Sequence, residues 1–147
     1  MTAMKIIIVF VVFTLCVSPN FAQEGGRKIY YVSWNTRFSR PLSWQEFIRL
    51  EYAESQVVAC VPMLRYIKSL IKDLKLKQID SGSSGNIDQR FVLIDGDDVI
   101  EIGPHEVKYD GKCFSTNCTI LTLLLPLLSD EYALELKHVI DDFYCSE

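Results

Sequence analysis

Apolar positions recur along this chain with two periods, three to four residues in some segments and two in others, and each predicts an element. Across residues 63–78, Leu64, Ile67, Leu70, Ile71 and Leu74 form one stripe at helical spacing, with Arg65, Lys68, Lys72 and Lys75 together on the opposite face. Across 129–144, Ser129 can cap a helix whose first turn carries Asp130 and Glu131, favourable at the positive end of its dipole. Tyr132, Leu136, Val139, Ile140 and Phe143 mark the buried stripe expected there, and Asp130, Glu131, Glu135, Asp141 and Asp142 gather on another face. A third helix start lies in "LSWQEF". Ser43 and Glu46 have capping-box spacing, and Leu42 and Phe47 are placed as a hydrophobic staple. The pattern carries this helix towards Cys60, and Pro62 then kinks it or starts a new one.

The strands follow a shorter rhythm. "RKIYYVSW", residues 27–34, is rich in β-branched and aromatic residues and reads as a first strand. "RFVLID", residues 90–95, is a continuous apolar run of the kind covered on both faces. Asp95-Gly96 then supplies a hairpin turn, and residues 99–102 return as the partner strand. "HEVKYDGKCF" alternates around a second turn at Asp110-Gly111, so residues 90–114 predict an antiparallel meander of three or four strands. The apolar segment 120–128 belongs to the core. The fold class predicted is α+β: a small antiparallel β-meander packed against two or three helices and stabilised by disulfides.

The N-terminus reads as a secretory signal peptide, with Lys5 before an unbroken apolar run at 6–17 and small or helix-breaking residues from Ser18. The run is short for a bilayer span, so residues 1–22 are expected to be removed after Ala22, leaving 23–147 as one secreted domain without a transmembrane segment. Cleavage removes one cation and no acid, taking the formal charge from −4 to −5. A mildly acidic extracellular domain is not a default nucleic-acid binder.

Cys16 leaves with the signal, and Cys60, Cys113, Cys118 and Cys145 remain. In a secretory compartment they predict two disulfides, with Cys113–Cys118 and Cys60–Cys145 the preferred pairing. Asn117-Cys118-Thr119 is an N-glycosylation sequon.

Catalytic and metal motifs are missing. The stretch "DGDDVIEIG" places apolar strand residues where a calcium loop needs ligands, and the cysteine spacing lacks a zinc pattern. His105 and His138 have no neighbour that marks either as a base, and no metal or cofactor is expected. "QVVAC", residues 56–60, is similar to the inhibitory loop motif of cystatins, and Gly25-Gly26 to the glycine near their N-terminus. In that family the motif tips a hairpin, whereas the capping box here places it within a helix, so no membership follows. The element order also resembles a degenerate thioredoxin fold, which implies a thiol-disulfide enzyme or chaperone-like protein using Cys60 or the pair Cys113 and Cys118. The leading expectation is a secreted domain acting by binding a ligand, an inhibited target or another extracellular protein. Arg65, Lys68, Lys72 and Lys75 are the candidate contacts to a protein partner or an anionic surface.

Overall fold

The computed structural model describes residues 27–58, 61–72, 78–79 and 86–144. Its strands are β1 (Arg27–Tyr31), β2 (Glu54–Val57), β3 (Gln78–Ile79), β4 (Phe91–Asp95), β5 (Asp98–Ile102), β6 (Glu106–Tyr109) and β7 (Lys112–Ser115). Its α-helices are α1 (Trp44–Phe47), α2 (Val61–Lys72), α3 (Cys118–Leu124) and α4 (Asp130–Val139). A 3-10 turn follows α3 at Leu125–Leu127, and α4 widens into a π-helical turn at Ile140–Tyr144.

The strands form one sheet in the order β2-β1-β4-β5-β6-β7-β3, and every pairing is antiparallel. The α+β class therefore stands. The expected meander is β4 to β7, and β1, β2 and the two-residue β3 extend it. A strand-helix-strand crossover of the thioredoxin kind would give parallel neighbours, and the described strands contain none.

Both hairpins turn where the Asp-Gly pairs stand. Gly96 takes positive φ at the first position of a two-residue loop, and Asp110 and Gly111 both take positive φ in the second, so the local twist matches the strands. Gly103 has a different reason: a Cβ there would collide with the backbone carbonyl of Asp88.

The sheet buries both faces, by different means. On one face Ile29, Tyr31, Leu93, Ile100, Ile102 and Val107 meet Leu64, Ile67 and Ile71 of α2 and Ile120, Leu121 and Leu124 of α3. Continuous apolar runs such as "RFVLID" are needed because the other face is covered too. There Val32 and Val92 lie under Phe47, with Phe38, Trp44, Ile48 and Leu50 around them.

That second layer replaces the long helix expected over 43–60. The capping box forms as predicted, with Ser43 Oγ accepting from the Glu46 amide at 3.3 Å and the Glu46 carboxylate accepting from the Ser43 amide at 2.8 Å. Yet α1 is only four residues long. Phe47 is drawn into the rear core, the chain turns through residues 49–53, and 54–57 pairs with β1. Strand pairing overrides the local helical preference. The "QVVAC" segment thus begins in an edge strand and not in a helix. By contrast α2 starts at Val61–Pro62, as the proline predicts, because a first turn does not need its N–H. Leu74 lies outside the described residues.

Candidate functional site

Cations proposed as partner contacts have several fates. Arg65 is exposed on α2. Lys72 is exposed as well, with its ammonium 5.7 Å from the centre of the Tyr109 ring. Lys75 lies outside the described residues. Lys68 is turned inward, its side chain 16% exposed, with its ammonium 2.6 Å from both Asp95 Oδ2 and Asp98 Oδ2.

This contact explains the acids of the β4–β5 hairpin. Asp95 and Asp98 stand directly opposite each other, an arrangement of like charges that destabilises a strand pair unless a cation lies between them. Lys68 is that cation, and Arg27 Nε adds a second contact to Asp95 at 2.9 Å. The hydrogen bond from Lys68 is the main reason the Asp95 carboxyl lies below its ordinary range, against the opposing effect of burial. Burial works against the charge of Lys68, but the hydrogen bonds and charges of Asp95 and Asp98 outweigh it and raise its pKa. The four cations therefore do not form one free stripe. Lys68 fastens α2 to the hairpin.

Cysteines depart from expectation too. Cys113 is a buried free thiol on β7, so the Cys113–Cys118 bridge is not formed. Its side chain is on the rear face, where Glu101, Lys108 and Cys113 occupy cross-strand positions in one row. Cys118 begins α3, and Cys60 and Cys145 lie outside the described residues. Asn117, the sequon residue, caps α3: its Oδ1 accepts from the Ile120 amide at 3.0 Å. The sequence reading did not assign this capping role, although an Asn one residue before a helix has a signal for it.

The row contains a polar feature that the sequence did not mark. Glu101 is only 5% exposed in its side chain; Oε1 lies 3.6 Å from Lys108 Nζ, and Oε2 has no hydrogen-bond partner. Burial raises its pKa, and Lys108 partly opposes the rise.

Among the described residues neither histidine joins a reactive pair. His105 lines a shallow cleft of about 210 Å³ with Asn86, Asp88, Pro104 and Glu106, and His138 is exposed on α4. Among the described residues no group of three His, Cys, Asp or Glu side chains is placed to hold a metal ion.

The surface of α4 is the most distinctive. Tyr132 packs edge-on against Tyr31 at 4.8 Å, and Leu136 and Ile140 are buried as predicted. Phe143, expected in the same stripe, is 76% exposed. The cause is the π turn: its wider winding brings Tyr144 into the stripe's place, against Trp34 and with its hydroxyl donating to the Pro104 carbonyl. Leu134 is also out, at 58%. Along the same helix and its π turn Asp130, Glu131, Asp141 and Asp142 are exposed. Glu135 is half-buried instead, its Oε1 accepting from Ser33 Oγ at 2.7 Å and Asn35 Nδ2 at 3.1 Å.

No family model matches the chain, and comparison with curated proteins and with solved structures finds no match for its sequence or fold. No described helix is long and apolar enough to cross a membrane.

Proposed function

We propose that this is a secreted binding domain whose contact surface is the C-terminal helix, with the exposed Leu134 and Phe143 as apolar anchors and the exposed acids of the same segment as flanking charge. The observation that carries the reading is the exposure of Phe143, at 76%. An aromatic side chain left in water beside charged residues is the composition of an interface anchor. The flanking acids select a cationic extracellular protein. Residues 1–22 direct the chain into the secretory pathway and are removed there, and Asn117 is its glycosylation site, whose capping bond uses Oδ1 and leaves the amide nitrogen for the sugar.

With Cys113 free, a disulfide is expected to join Cys118 to Cys60 or Cys145, as an oxidising secretory compartment favours. The thiol-disulfide enzyme reading gains no such support, because Cys113 is buried and does not pair with Cys118.

The test compares the secreted wild-type protein with a Leu134→Ser/Phe143→Ser variant for binding to an array of purified extracellular proteins. Loss of a binder at unchanged thermal stability is the expected result. Binding that survives the double substitution moves the interface elsewhere.

A further inference from the structure

We propose that the free edge of β2 receives an extended cationic segment of the partner as an added strand. This rests on the reading of the domain as a binding module and names what it binds and how. β2 ends the strand order, next to β1 alone. The Val58 amide donates to the Arg27 carbonyl at 3.0 Å, which fixes the alternation of the pair. Counting on in twos, Gln56 and Glu54 bond inward to Ile29 and Tyr31. Ser55 and Val57 therefore turn N–H and C=O away from the sheet, and no hydrogen bond within the described residues takes up those groups.

Sheet edges are ordinarily guarded by lysine, proline or a bulge. The other edge, β3, is two residues long. β2 reads Glu-Ser-Gln-Val, without lysine or proline. Its one charge, Glu54, accepts from the Tyr31 hydroxyl at 3.1 Å.

The surroundings specify the occupant. Glu54 is held by the hydroxyl of Tyr31, whose ring packs against Tyr132 of α4, which sets the strand acid beside the helix that carries Glu131 and Glu135, and Glu51 is exposed just before the strand. The ion pairs among the described residues involve none of these four carboxylates. A second copy of this chain would bring two such clusters together, so like charges oppose it. A strand with Lys or Arg at every second position satisfies both the backbone edge and the acids, since alternate side chains point to one face.

The probe is a capped peptide of about eight alternating lysines and threonines, a typical strand length, titrated into the full secreted domain by calorimetry. A second peptide of the same sequence is N-methylated at alternate residues, which removes strand donors but keeps every charge. A Ser55→Pro variant removes one outward N–H, at an edge position where proline is tolerated. The expected result is binding by the first peptide, roughly tenfold weaker binding by the second and by Ser55→Pro, and slowed amide exchange at 55 and 57 on binding. Equal affinity for the two peptides would reduce the contact to charge attraction and overturn the inference, as would no binding at all. Dimerisation of the free domain through this edge would also overturn it, by assigning the edge to a second copy. If the peptide fails while array binding still depends on Leu134 and Phe143, the strand inference falls and the binding function stands.

Discussion

Two helices carry opposite charges in this chain, and they use them differently. On α2 the central cation, Lys68, bridges two aspartates of the β4–β5 hairpin and so joins a helix to the sheet. On α4 and its π turn the acids Asp130, Glu131, Asp141 and Asp142 remain in water, as do Leu134 and Phe143. Both segments have the same amphipathic pattern in sequence. The difference is tertiary: α2 lies over a hairpin tip whose facing acids need a cation, whereas α4 meets the sheet through Tyr132, Leu136 and Tyr144. A charged stripe becomes surface or structure according to what the fold brings opposite it.

The comparison can be broken first at the apolar contacts. Ile67→Ala, at a fully buried α2 position, is expected to cost about 2–5 kcal/mol in denaturant unfolding. Leu134→Ala on α4 is expected to stay within about 0.5 kcal/mol.

Next is Lys68→Met, expected to cost about 2 kcal/mol by leaving Asp95 and Asp98 opposed without the cation that bridges them, since Arg27 reaches Asp95 alone. Because the folded Asp95 pKa is depressed, this stabilisation is present above the unfolded value, about 3.9, and is lost as pH falls through the folded one. Unfolding midpoints of the wild type and Lys68→Met should converge below that range.

Glu101 is expected to act in the opposite sense. Its folded pKa is raised, so ionisation in the buried row opposes folding above that pKa, and acidification towards the unfolded value, about 4.3, relieves it. Glu101→Gln should gain about 1 kcal/mol at pH 7 and lose the advantage as pH falls towards that value, read from thermal unfolding at several pH values.

Smallest in stability is the Leu134→Ser/Phe143→Ser pair, expected within about 0.5 kcal/mol per site while partner binding falls more than tenfold.

Much of this architecture was legible from short-range signals. The Asp95-Gly96 and Asp110-Gly111 turns, the Ser43 capping box and the restart of the chain at Pro62 depend on neighbours in sequence, and all are found, whereas Ser129 stands at the start of α4 without a side-chain capping bond. What was illegible depends on distant partners. Phe47 draws the chain into the rear core and ends α1 early, so 54–57 becomes a strand although the capping box pointed to a helix. Phe143 was misplaced because a π turn cannot be read from a 3.6-residue period. Lys68 was offered as a partner contact because nothing local to residues 63–78 shows that Asp95 and Asp98 lie opposite it. Proximity in sequence pairs Cys113 with Cys118, whereas β7 turns the Cys113 side chain to the rear face of the sheet.

The α4 surface, and not the cationic face of α2, is proposed to meet a partner. Hydroxyl-radical footprinting with mass spectrometry tests it without knowing the partner, by comparing the purified domain in buffer with the same domain added to extracellular fluid. Strong labelling of Leu134 and Phe143 in the purified protein, suppressed in the fluid while labelling around Arg65 and Tyr66 is unchanged, is the predicted result. Equal labelling of Leu134 and Phe143 in both samples, or protection confined to α2, would contradict it.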